Sequence, residues 1–154
     1  MMKKNLLMKG ENMITERTML RALKTRIETE NIFQEVRILG NEVISERLLN
    51  ELPELTKFPA CLLASGAASM ENNGCTTRTP IEAVVIASCY GGESDLDAAD
   101  EVLAQTMSLL KCDSYSEVLS IDGVYYVFEQ CEKMHFDPRH IAWKLRFSAK
   151  ALNA

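Results

Sequence analysis

The chain has few of the residues that usually carry chemistry. It contains only two histidines in 154 residues, His135 and His140. Its cysteines are odd in number, widely spaced and without a C-x-x-C pair: Cys61, Cys75, Cys89, Cys112 and Cys131. Such spacing is typical of neither a disulfide framework nor a zinc framework. We therefore expect reduced thiols, with Cys61 and Cys89 buried as small apolar side chains.

Long apolar runs are also missing. No segment reaches the roughly 18 apolar residues of a membrane span. The start, MMKKNLLMKGENM, places two lysines before an apolar patch that is shorter than the roughly 7–15 residues of a signal peptide. We expect an intracellular protein with residues 1–12 as a flexible tail. Met1, Met2, Met8 and Met13 are all candidate starts.

Basic residues are outnumbered, with 17 Lys and Arg against 22 Asp and Glu and a net charge of −5. A nucleic acid or an anionic membrane would attract a basic surface, so neither is an expected partner. With 47% hydrophobic residues, a chain of this length buries enough surface to fold without a metal or disulfides. The sequence predicts one domain over residues 13–154 and requires no cofactor.

Motifs for nucleotide binding and hydrolysis are absent. Gly91 and Gly92 begin GGESDLD, which has neither G-x-G-x-x-G spacing nor a terminal Lys-Ser/Thr pair. Ser65 lacks the G-x-S-x-G elbow. Cys131, His135 and His140 could form a metal site or a nucleophile pair, although a fourth ligand is missing. We therefore predict no enzyme, and keep a small cytosolic enzyme or metal-binding protein using those three residues as an alternative.

Helical periodicity appears in three segments. Thr15 can cap a helix over 15–28, and a short helix is predicted over 45–52. The third helix, 95–111, would begin with a capping box of Ser94 and Asp97. Its predicted inner stripe is Leu96, Ala99, Leu103, Met107 and Leu110.

Strand patterns occupy much of the remainder. Apolar runs predict strands over 33–39, 58–66 and 80–90, the last two paired antiparallel. A polar segment, 70–79, is predicted to be a wide loop. Asp122-Gly123 predicts a hairpin between 118–121 and 124–134. The fold class is therefore α+β, a mostly antiparallel sheet with two principal helices packed on one face.

The last segment, HIAWKLRFSA, alternates with the period of a strand. Five apolar residues point to one side: Ile141, Trp143, Leu145, Phe147 and Ala149. We expect the other side to be exposed, with His140, Lys144, Arg146 and Ser148. Tyr125, Tyr126 and Phe128 are interpreted as sheet core or subunit interface rather than as a base-stacking group.

Several of these segments together resemble a known family. The leading helix, the strands FPACLLASG and RTPIEAVVIASCYG, the helix DLDAADEVLAQTMSLLK and the closing strand HIAWKLRFSAK are similar to tail terminator proteins of tailed bacteriophages, also called tail completion or neck proteins, especially the Mu-like prophage group. The resemblance covers about residues 14–150.

The resemblance implies a structural virion protein, present in the bacterial cytoplasm during assembly and then in the tail or neck of the particle. It implies a homo-oligomeric ring, usually a hexamer, that caps the tail tube, stops its polymerisation and contacts the head–tail connector. Another connector or minor virion protein is the alternative.

Physical reasoning on the residues predicts where such a protein contacts its partners. A polar loop can become ordered on contact, and a charged strand face can bind a second chain. The predicted interface residues are Asn72, Asn73, Gly74, Thr76 and Arg78 in the loop, and Lys144, Arg146 and Ser148 on the last strand.

Overall fold

The structure is a computed structural model that describes residues 15–39, 44, 57–113 and 117–152. The predicted tail over 1–12 and the predicted short helix over 45–52 lie outside these residues. Within them the order is α1 (Glu16–Glu28), β1 (Glu35–Ile38), β2 (Ala60–Ser65), β3 (Ser69–Glu71), β4 (Thr76–Ser88), α2 (Gly92–Leu109), β5 (Leu119–Ile121), β6 (Val124–Asp137) and β7 (His140–Leu152).

All seven strands belong to one curled sheet in the order β1-β2-β4-β7-β6-β5, with β3 beside β4. Every pair is antiparallel except β1 with β2. The α+β prediction is confirmed, including the antiparallel pairing of 58–66 with 80–90, which become β2 and β4.

One face of the sheet carries both helices, and we call it the helix face. Helix α1 begins at the predicted cap, where the Thr15 hydroxyl accepts a hydrogen bond from the Thr18 amide. Its buried side is Met19, Leu20, Leu23 and Ile27. These side chains pack with the alternating apolar residues of the strands, including Cys61, Val85, Leu145 and Phe147. Since strand side chains alternate between faces, the odd-numbered residues of β2, β4 and β7 make this core.

A smaller apolar cluster lies on the opposite face. Its buried members are Ile44, Ala60, Leu62, Ala64, Val84, Ile86, Met134 and Ala142. Leu39 and Phe58 pack against it. Strand β2 and residues 83–87 of β4 are therefore apolar on both faces, as continuous hydrophobic runs predict for interior strands.

Helix α2 begins earlier than predicted, and the Ser94–Asp97 capping box is wrong. Gly91 is the N-cap and offers no side-chain hydrogen bond. The Asp95 carboxylate instead accepts hydrogen bonds from the Tyr90 and Gly91 amides at 2.9 and 2.8 Å. The predicted inner stripe is confirmed for Ala99, Leu103, Met107 and Leu110, which pack on the core, but Leu96 is exposed.

The predicted wide loop over 70–79 is wrong. Ser69–Glu71 pairs with Thr76–Arg78 as a hairpin, so only residues 72–75 form the turn. Asn72, Asn73 and Gly74 all have positive φ, which Asn and Gly tolerate best. The Asp122-Gly123 hairpin is confirmed, with both residues at positive φ between β5 and β6.

Candidate interaction surface

Charged side chains line the face of the sheet away from the helices, across β3, β4, β7 and β6. We call this set the charged face: Glu71, Arg78, Glu82, Glu129, Glu132, Lys144, Arg146 and Lys150. The strand register creates it, since Arg78 lies opposite Lys150, Glu82 opposite Arg146, and Glu132 opposite Lys144. Four acidic and four basic groups share this face, so it has little net charge.

A buried ion pair occupies its centre. Lys144 Nζ lies 3.4 Å from Glu82 Oε2, and the two side chains are 6% and 13% exposed. The other Glu82 oxygen accepts a hydrogen bond from the Ile44 amide at 2.9 Å. The predicted exposure of Lys144 is therefore wrong. Its neighbours on β4 and β6, and Ile44 above Glu82, remove it from solvent.

Ser148 is also buried rather than exposed, at 1% of its surface. Its hydroxyl donates to Glu129 Oε2 at 2.5 Å, and Arg78 Nη2 lies 3.3 Å from the same oxygen. The hydrogen bond from Ser148, together with Arg78, lowers the pKa of Glu129 below its usual value. Ser148 therefore helps to hold a carboxylate within the protomer.

Arg146 and His140, the other two residues of the predicted exposed face, are only partly exposed. The Arg146 side chain is 43% exposed, and its Nη2 lies 3.0 Å from Glu132 Oε1. The His140 ring packs 4.4 Å from the Phe58 ring, measured between centroids. The structure thus places Arg78, Lys144, Arg146 and Ser148 on one face, but in two groups of contacts: Lys144 and Arg146 with Glu82 and Glu132, and Arg78 and Ser148 with Glu129.

The remaining predicted interface residues lie at the β3–β4 turn, beside the charged face. Asn72 Nδ2 lies 3.4 Å from the Thr76 hydroxyl. Thr76 is buried, whereas Asn72 and Asn73 are exposed. Met70, next to this turn, exposes 69% of its surface. The solvent-facing part of the predicted loop is therefore small.

Strand β6 has a bulge that changes its side-chain alternation. Phe128 lies opposite Phe147 and Gln130 opposite Arg146, so Glu129 is the extra residue. Before the bulge, Tyr125 and Val127 share the face of Glu129; after it, Gln130, Glu132 and Met134 do. The bulge thus adds Glu129 to the charged face.

Strand β6 also has an open edge. Strand β5 pairs only with Val124–Tyr126. In the part of the chain that the structure describes, residues 127–137 of β6 pair with β7 alone. A cleft of about 450 Å³ opens beside the start of β5. Its lining includes Cys112, Val118 and Phe128. Unpaired strand edges are templates for a further strand.

The alternative site of Cys131, His135 and His140 is not assembled. Cys131 lies opposite Leu145 and packs on the helix face. His140 packs on Phe58, which belongs to the opposite face. His135 lies in β6, and its side chain is outside the described residues. The sheet therefore separates Cys131 from His140.

The cysteines are free thiols in different surroundings. Cys61 is buried as predicted, Cys89 only partly, and Cys75 is exposed. Burial raises the pKa of Cys61 to about 12, and burial with nearby Asp113 and Cys131 does the same for Cys112. Such thiols are protonated and weakly nucleophilic at neutral pH. Across the described ranges, no three His, Cys, Asp or Glu residues are placed to hold a metal ion.

The ion pairs of the charged face and the open edge of β6 were not predicted from the sequence. Glu82 was a sequence signal for the charged face, because a single carboxylate within an apolar interior strand requires a partner. The consecutive polar pair Glu129-Gln130 interrupts the alternation of β6 and marks the bulge. The predicted hairpin pairs the short strand 118–121 with the longer strand 124–134, and this difference in length was the sequence signal for the open edge.

Comparisons with known proteins add no relative. Neither models of protein families nor the curated proteins searched give a match to this chain. No helix among the described residues is long and apolar enough to cross a membrane.

Proposed function

We propose that this protein is a structural assembly subunit, a tail terminator of a tailed phage or prophage. In this role it forms a ring, of about six copies, that caps the tail tube and contacts the head–tail connector. The proposal begins from the resemblance of the sequence to that family, and the α+β fold with both helices on one face agrees with what the resemblance implies.

The observation that carries the proposal is the open sheet. In the described residues, β1 pairs only with β2 at one end, and most of β6 pairs only with β7 at the other. Two different open ends suit a head-to-tail contact, and a cyclic ring repeats one such contact until it closes. The charged face, with its balanced ion pairs, adds a polar surface of the kind found at the rim of protein interfaces.

The test measures the mass of the purified chain by light scattering over a concentration series, alone and with the tail-tube protein of the same phage. We expect a mass of about six 17.3 kDa chains, formed alone or on the tube. Electron microscopy should show tubes that stop growing when the chain is added.

A tube protein from an unrelated phage is the control, and its tubes should grow unchanged. A chain that stays monomeric and leaves its own tube protein unaffected would overturn the proposal. Binding to the connector without any effect on the tube would favour the other reading, a connector or minor virion protein.

A further inference from the structure

The two open ends of the sheet have a fixed relative direction. Strand β6 is antiparallel to β7, β7 to β4, and β4 to β2, whereas β2 and β1 are parallel. Three reversals make β1 antiparallel to β6. When a second copy stands beside the first in the same orientation, as neighbours in a ring do, its β1 therefore meets the open edge of β6 antiparallel. The helices of both copies then lie on the same side of one continuous sheet.

Two of the four β1 residues lie opposite a matching side chain of β6 in this arrangement, whereas Val36 lies opposite Lys133 and Glu35 opposite Met134. On β1, Val36 and Ile38 pack toward the helix face, so Glu35 and Arg37 point to the other face. On β6, Cys131 lies on the helix face and Glu132 on the charged face. A register with Ile38 opposite Cys131 places Arg37 opposite Glu132. This gives one apolar pair and one pair of opposite charges, both favourable across antiparallel strands.

We infer that β1 of one copy pairs with β6 of the next, in the part of β6 that β5 does not cover. This strand pair is the seam between subunits. The inference rests on the proposed ring and names its interface. Arg37 contacts Glu35 and Glu132 contacts Arg146 within the protomer. The seam would join these two ion pairs into one network across the subunit boundary.

The charges also disfavour a competing partner. Two β6 edges paired antiparallel would place Glu129 and Glu132 of both copies on the same face, where like charges repel. Charged residues and a bulge are common means of limiting indiscriminate edge pairing. Glu129 and Glu132 thus make the edge selective for a strand that carries a positive charge on the matching face.

Disulfide trapping tests the register directly. Directly opposed residues of an antiparallel pair have Cα atoms about 4.5–5.5 Å apart, within the roughly 4.4–6.8 Å that a disulfide spans. Ile38→Cys in the full chain should therefore bond to Cys131 of the next copy under mild oxidation. A denaturing gel without reductant should show a ladder of covalent multimers that disappears on reduction.

Two controls distinguish this bond from chance pairing. Cys131→Ser in the Ile38→Cys background should remove the ladder. Leu152→Cys places a thiol on an exposed residue away from the seam and should give only the background that exposed Cys75 gives in the parent.

A second measurement covers the case in which Ile38→Cys fails to fold. Glu132→Lys should raise the concentration for half-assembly by about tenfold, because one attraction per interface becomes a repulsion. Adding Arg37→Glu should restore assembly. A ring of full mass without the ladder, or with no response to Glu132→Lys, would overturn the seam and leave the ring. The absence of any oligomer in light scattering would overturn both.

Discussion

Lys144 is the charged side chain most removed from solvent among the described residues. Its partner Glu82 is nearly as buried, and the pair is held by the Ile44 amide and by Arg146 Nε at 3.9 Å. Removal of one partner from a buried pair leaves an uncompensated charge, which costs more than the pair contributes. The pair therefore makes this part of the sheet sensitive to single substitutions.

We expect Lys144→Met to lower the free energy of unfolding by about 2 kcal/mol, less than for a fully isolated charge because Glu82 keeps its other two partners. Urea denaturation measures this. Lys150→Met is the matched control on the same strand and face, 42% exposed, and should change stability by less than about 0.5 kcal/mol. Equal effects of the two substitutions would contradict the buried pair, and Glu82→Gln added to Lys144→Met should recover part of the loss.

Glu129 gives the protein a pH-dependent contribution to stability. Its pKa is lowered from 4.5 by the Ser148 hydroxyl and by Arg78. A carboxylate with a lowered folded pKa stabilises the fold at pH values above its unfolded pKa, and this contribution is lost as the pH falls through the folded pKa. The urea midpoint of Glu129→Gln should therefore lie below that of the parent at pH 7, and the difference should shrink as the pH falls below 4.5. A difference that is constant from pH 7 to pH 3 would contradict this origin.

At the scale of the elements, the sequence predicted which helices and strands form better than it predicted where they begin and end. Helix α1, strand β2 and the Asp122-Gly123 hairpin were predictable because local signals and burial agree there: a Thr cap, a continuous apolar run, and a turn pair that accepts positive φ. Helix α2 begins at Gly92 rather than at residue 95. Gly91 is its N-cap, and the Asp95 carboxylate accepts hydrogen bonds from the Tyr90 and Gly91 amides. A side chain four residues into the helix is not part of the usual capping box.

Asp95→Ala should lower the free energy of unfolding by about 1 kcal/mol, since the Tyr90 and Gly91 amides lose their acceptor at the start of α2. Asp97→Ala removes the same charge from the same turn without removing these hydrogen bonds. Denaturation of the two variants side by side separates capping from the helix dipole. If both lose the same stability, Asp95 acts only through its charge.

At the scale of the whole molecule, period and composition predicted the α+β class with both principal helices on one face of the sheet. They did not predict the charged face, because its members come from four strands whose register is set by tertiary pairing. The alternation of β7 correctly divided Leu145 from Lys144. The exposure predicted for Lys144 was wrong, since a polar side chain on a strand face can point to a buried partner as well as to water. The separation of Cys131 from His140 also depends on strand register, so the alternation of each strand alone did not predict it.

The position of β7 has a consequence for how the chain folds. Strand β4 lies in the middle of the sheet, and its full length pairs with β7, from Ser88 with His140 to Thr76 with Leu152. On the ribosome, β4 is therefore made long before its partner. The edge of β4 that pairs with β7 stays unpaired while α2, β5 and β6 are synthesised. The chain between β4 and β7 must then close as a long loop before these two strands pair. The core is completed late, and newly made chains are exposed to aggregation until β7 emerges.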